Sequence, residues 1–98
     1  MKVYIAGKVT GNPHYREQFA EVEEELQAAG HTVMNPAILP DGFQYNEYLR
    51  INFTMIDVCE GIFFMANWQD SRGARLEFEY ANLHQKILMF QPRDEQTV

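Results

Sequence analysis

The stretch Val3-Tyr4-Ile5-Ala6-Gly7-Lys8-Val9-Thr10-Gly11-Asn12-Pro13 decides the fold. Its apolar run ends at Gly7 and reads as a buried strand. A loop flanked by Gly7 and Gly11 follows, and Asn12 as N-cap with Pro13 in the first helical position predicts a helix start. Phe19, Val22, Leu26 and Ala29 then recur at spacings of three and four, while Glu17, Glu21, Glu24 and Glu25 fall mostly on other faces. Gly30 is the expected C-cap. A second strand, His31 to Met34, stops at Asn35-Pro36. Strand, helix and strand in so short a span is a βαβ unit.

The pattern continues downstream. An irregular loop from Ala37 to Asn46 leads to a helix from about Glu47 to Cys59, punctuated by Gly61. Ile62 to Ala66 is apolar throughout, as in a strand covered on both faces. The loop Asn67 to Gly73 opens a third helix ending near Gln85, Lys86 to Phe90 is the last strand, and the tail from Gln91 reads as polar and loose. Right-handed crossovers then predict one α/β domain over residues 1–98. Its form is a flavodoxin-like three-layer α/β/α sandwich with a four-stranded parallel sheet, order 2-1-3-4. The topological switch point lies between the first and third strands, so the loops Gly7–Gly11 and Asn67–Gly73 should face one ligand crevice.

Composition narrows the function. At 98 residues and 46% hydrophobic the chain can bury one core without staples. A single cysteine, Cys59, forms no internal disulfide, and the amino terminus enters a strand pattern at once, which together predict a cytoplasmic protein without a signal peptide. No apolar run approaches membrane-spanning length. A net charge of −6 without a Lys/Arg stripe argues against a nucleic acid polymer as partner but not against a nucleotide, whose phosphate backbone amides can hold. His14, His31 and His84 are scattered, so no metal is expected. Ser71 and Thr10 lack a hydrolase-triad setting, and Gly7-Lys8-Val9-Thr10-Gly11 is neither a phosphate-binding Walker loop nor a dinucleotide fingerprint. That loop either turns the chain or contacts a phosphate or sugar. Trp68 and Tyr45 either stack on a base or cover the core.

Two polar residues stand on apolar faces. In the third helix Leu76, Tyr80 and Leu83 make one stripe, Ala74, Phe78 and Ala81 another, and Glu77 falls between them. Arg72, Arg75, Glu79, Asn82 and Lys86 share an arc expected to meet water. A carboxylate among apolar neighbours needs a partner; the helix dipole and free amides would help keep Glu77 ionised. It is either a structural carboxylate, paired for example with His84, or a nucleophile or ribose-binding group. In the second helix Asn52 sits in the middle of the apolar arc, opposite Arg50, Thr54 and Asp57, and requires a partner in the core or the crevice.

These motifs, in this order, resemble the nucleoside 2-deoxyribosyltransferase superfamily. The likeness extends to its deoxynucleoside-monophosphate N-glycosidases and to a small, often phage-encoded branch. The resemblance runs from Lys2 to Phe90 through Val3-Tyr4-Ile5-Ala6-Gly7, Thr10-Gly11, Gly30-His31-Thr32-Val33-Met34-Asn35-Pro36, Trp68-Gln69-Asp70-Ser71-Arg72-Gly73-Ala74 and Arg75-Leu76-Glu77-Phe78-Glu79-Tyr80-Ala81. It implies cleavage or transfer of an N-glycosidic bond by double displacement, without a cofactor. Glu77 would be the nucleophile, Tyr4 its orienting partner, Ser71 and Thr10 phosphate contacts, and Gly73 a place of close backbone approach. Backbone amides near Gly7 and Ser71 would hold the sugar or its phosphate. Asn52 stands where relatives carry an aspartate that binds ribose hydroxyls and relays a proton to the leaving base. An amide does only the first, which leaves Asp70 as a substitute acid or makes the chain a non-catalytic nucleotide-binding or sequestering domain. A flavin- or partner-binding module is a third reading. Because Ala74, Phe78 and Ala81 cannot face the sheet if Leu76, Tyr80 and Leu83 do, that stripe is expected to pack on another subunit in a homodimer or larger homo-oligomer.

Overall fold

Alternation along the first strand divides the core in two. In the computed structural model, which describes residues 1–93, β1 (Lys2–Ala6) sends Val3 and Ile5 to one face and Tyr4 and Ala6 to the other, all at most 1% exposed. Val3 and Ile5 pack on Phe19, Val22 and Leu26 of α1 (Tyr15–Ala28). Tyr4 and Ala6 meet Ile56 of α2 (Tyr45–Asp57) and Ala74 and Ala81 of α3 (Arg72–Leu83). With β2 (Thr32–Met34), β3 (Gly61–Phe64) and β4 (Ile87–Phe90), β1 forms a parallel sheet of order β2-β1-β3-β4, the order expected from the sequence. Tyr4 pairs with Met34 on one side and Ile62 on the other, at the centre of the sheet. No helix among the described residues is long and apolar enough to cross a membrane.

Three local expectations need correction. Helix α1 begins at Tyr15, two residues after Pro13: Asn12 Oδ1 accepts from the His14 amide (3.4 Å) in the turn before the helix, while Nδ2 donates to the Lys8 carbonyl (3.0 Å) and to Gln18 Oε1 (2.8 Å), pinning the loop against the helix. Helix α2 begins at Tyr45 rather than near Glu47, since Gln44 and Glu47 form a capping box in which the Gln44 amide donates to Glu47 Oε1 at 2.7 Å. Gly30 does end α1, with φ +95°. The polar tail begins with an anchored residue, Gln91, which accepts from the Ala66 amide and donates to the Phe64 carbonyl, both at 2.8 Å; residues 94–98 lie outside the described residues.

The third correction concerns α3. Ala74 and Ala81, not Leu76 and Leu83, face the sheet, and Leu83 is 77% exposed. Two alanines bring the helix close to β1 and β3, while Phe78 enters an aromatic cluster with Phe64, Trp68 and Phe90. Ala74 and Ala81 are therefore internal and Phe78 is half-buried, so the exposed stripe from which a subunit contact was expected is not present as such. This close approach carries Glu77 against the sheet. Enlarging Ala81 to leucine should overpack the seam and lower unfolding free energy by about 1–3 kcal/mol, whereas Leu83→Ser should change it by less than ~1 kcal/mol. Urea denaturation of the two variants checks this.

Candidate active site

Glu77 sits on the sheet-facing side of α3, one turn below Ala74, and is 4% exposed. Two elements supply its partners. From β1, the Tyr4 hydroxyl donates to Oε2 at 2.9 Å; from α2, Asn52 Nδ2 donates to the same oxygen at 3.1 Å. Oε1 has no hydrogen bond among the described residues and, unlike Asn52 Oδ1, is not sealed from solvent. The carboxylate is thus held by one oxygen and free at the other. Both polar misfits of the sequence, in α2 and α3, prove to be partners of each other.

Burial is the strongest influence on the carboxyl, raising its pKa from the ordinary 4.5 to about 7, with the bonds from Tyr4 and Asn52 pulling the other way. The expectation that the helix dipole and free amides keep Glu77 ionised does not hold. Glu77 lies past the first turn of α3, and desolvation outweighs its two side-chain donors. Tyr4 is pushed well above 10, by burial first and then by the charge of Glu77, so it stays a neutral donor. Asn52 Oδ1 is buried without a partner, the cost of turning Nδ2 toward the carboxylate.

Glu77, Tyr4 and Asn52 line a cavity of about 540 Å³, within the range of small-molecule sites. Gly7, Lys8, Val9 and Thr10 of the loop after β1 form one wall, and Asp70, Ser71, Arg72 and Gly73 of the segment entering α3 form another. Both loops at the switch point thus face one crevice. Pro36, Leu39, Pro40 and Asp41 close a third side together with Tyr45, Tyr48 and Leu49 of α2. Ser71 caps α3, its hydroxyl oxygen accepting from the Ala74 amide at 3.1 Å while its hydrogen remains free to donate. Gly7 is set by space: a Cβ there would come within 2.7 Å of Met65 Sδ and 3.2 Å of its Cβ. A Cβ at Gly73 would lie 3.3 Å from the Tyr45 hydroxyl, on the cavity wall.

Two expected ligand contacts are elsewhere. Gly11 (φ +77°) occupies an exposed turn and is not on the lining. Trp68 covers the core, its ring 5.2 Å from Phe64 and 5.0 Å from Phe78, because the short helical turn Trp68–Asp70 aims it back over β3. Asp57 is also outside, accepting from the Tyr80 hydroxyl at 2.6 Å, and His84 packs at a tilt against Tyr80 rather than pairing with Glu77. Among the described residues no three His, Cys, Asp or Glu side chains gather as metal ligands. Lys8 and Arg72 line the cavity from the two loops expected to face it, and sequence reasoning missed Tyr15 and Tyr48 there. Arg72 was read as solvent-facing, and it is exposed, but it also borders the cavity beside Tyr45, with its guanidinium 5.8 Å from that ring.

The parallel order, the three layers and the cavity at the switch point define a deoxyribosyltransferase-like α/β fold. The chain belongs to the family described as a domain of unknown function, DUF4406, which it matches over residues 1–90. A 2-desoxiribosyltransferase from Leishmania mexicana has a similar structure, with a TM-score of 0.72 at 19% identity over 91% of this chain and 62% of that one. The chain spans less than two thirds of that enzyme's length. No curated protein matches.

The pKa of Glu77 makes a stability prediction. Because the folded value lies above the ordinary one, the folded protein holds the proton more tightly. That contribution is fully present below about pH 4.5 and is lost as pH rises through about 7. Wild type should therefore lose roughly 3 kcal/mol relative to Glu77→Gln between pH 4.5 and pH 8. Urea denaturation of both proteins across this range measures the difference; parallel stability curves would contradict the assignment.

Proposed function

We propose that the cavity binds a nucleoside or nucleotide and that Glu77 cleaves or transfers its N-glycosidic bond. The observation that carries this reading is the buried carboxylate with Oε2 fixed by two neutral donors and Oε1 left free at the cavity. Such an arrangement suits a nucleophile: one oxygen orients the group and the other reacts. The similarity in fold to a deoxyribosyltransferase and the motif Arg75-Leu76-Glu77-Phe78-Glu79-Tyr80-Ala81 support the same chemistry.

In this mechanism ionised Glu77 attacks the anomeric carbon through Oε1, and the base departs with the bonding pair. Water or a second base then displaces the carboxylate from the glycosyl ester, as in a retaining glycosidase. Tyr4 and Asn52 hold Oε2 throughout. Ser71, Thr10, Lys8, Arg72 and the leading amides of α3 would receive a 5′-phosphate. The second reading, a domain that binds and sequesters nucleotides, is favoured by Asn52 standing where an acid would serve the leaving base. It differs in predicting ligand binding without release of base.

Incubation with a panel of deoxynucleosides, ribonucleosides and their monophosphates, with chromatography for free base, tests the proposal. Glu77→Ala should lower release by at least ~10³-fold. Tyr4→Phe, which deletes one bond to the carboxylate, should lower it by ~10- to 10²-fold. Since attack needs the ionised form, kcat/KM should rise with pH and level off above about 7. Full turnover in Glu77→Ala would contradict the role given to Glu77, and stabilisation by ligand with no base released would favour the binding reading.

A further inference from the structure

The proposed reaction sends the electron pair of the C1′–N bond to the base, and a neutral base needs a proton to leave easily. Among the described residues, neither side chain hydrogen-bonded to Glu77 offers an acid for that task, and Lys8, Tyr15 and Tyr45, which also line the cavity, make no bond to it. Asn52, beside Glu77, has no transferable proton: Nδ2 donates to Oε2 and Oδ1 is sealed off. The Tyr4 hydrogen is spent on Glu77, and that of Tyr48 on the Pro40 carbonyl at 2.6 Å. Asp41 is ion-paired with Arg16 at 3.2 Å, and Asp70 is exposed. Arg72 lies five residues before Glu77, about 7.5 Å of helix rise, and its guanidinium keeps its protons.

We infer that the site takes N-glycosides whose heterocycle is already cationic, such as pyridinium or N-alkylated purine nucleosides and their monophosphates. The inference rests on the glycosidic reading above. For such a substrate Glu77 Oε1 bonds to C1′ as the C1′–N bond breaks, and its electron pair neutralises the ring nitrogen, so the base leaves uncharged with no proton supplied. Water then attacks C1′, its proton passes to solvent, and the Glu77 carboxylate is regenerated. The buried carboxylate faces positive charge throughout, on the substrate ring first and on the oxocarbenium-like sugar next. Asn52 fits this use better than an aspartate would, because it donates to Glu77 at every pH and places no second negative charge beside the nucleophile.

The test compares 7-methylguanosine monophosphate with guanosine monophosphate, below the pH at which the methylated base loses its N1 proton, and adds nicotinamide mononucleotide. Wild type should favour the cationic member by at least ~10²-fold in kcat/KM. Asn52→Asp, which restores an acid, should compress that ratio by ~10²-fold through faster release from the neutral member, so the greater intrinsic lability of the cationic glycoside cancels. Equal rates on the two members in wild type would overturn the inference while leaving glycosidic cleavage standing. An unchanged ratio in folded Asn52→Asp would overturn it as well. No release from any of the three, nor from the deoxynucleosides and deoxynucleotides of the panel above, would instead remove the glycosidic reading itself. If Asn52→Asp fails to fold, each wild-type rate is divided by the spontaneous rate for the same nucleotide: equal enhancements of the two members support the inference, and a larger enhancement of the neutral member overturns it.

Discussion

The site depends on the burial of one carboxylate. Glu77 would relax into solvent if α3 stood farther from the sheet, but Ala74 and Ala81 draw the helix inward and leave it no such route. Tyr4 and Asn52 answer the resulting demand for donors, and each comes from a different element. The sheet centre, α2 and α3 therefore meet at one oxygen atom. Burial near a pKa of about 7 leaves the group divided between its two forms at neutral pH, and modest changes around it shift that balance.

The rest of the fold serves this arrangement. Parallel strands place the loops after β1 and β3 at the same end, and order β2-β1-β3-β4 opens a cleft between them. The segment from Pro36 to Phe43 closes the cleft from the side through hydrogen bonds more than through apolar burial. Arg16 donates to the carbonyls of Ala37 and Leu39, and Tyr48 ties Pro40 to Phe43, while Ile38 and Phe43 remain exposed. Deeply buried groups thus set the reactive centre, and a polar-tethered strap shapes the space above it.

Much of this was legible in the chain. Apolar runs bounded by Gly7, Gly61 and Asn35-Pro36 marked the strands, and the same 100° wheel that misassigned the sheet-facing stripe of α3 still isolated Glu77 as misplaced. The stripe was misread because side-chain size, not count of apolar residues, decided which face came close: two alanines outcompeted two leucines. Trp68 resembled a ligand platform for want of any local sign that Phe64, Phe78 and Phe90 would gather beneath it. Lys8 and Arg72 carried no periodic signal, since their place on the cavity follows from loops meeting across the sheet. The bond between Asn52 and Glu77 spans 25 residues and no local pattern contains it.

The central claim is that Glu77 forms a covalent bond to the sugar, and mass spectrometry of a quenched reaction tests it most directly. A nucleotide carrying fluorine at C2′ slows the second displacement and allows the glycosyl ester to accumulate. The account predicts a mass increase equal to the fluorinated glycosyl group on the peptide containing Glu77, absent in Glu77→Gln. Base released with no adduct at Glu77, or an adduct on another residue, would contradict it.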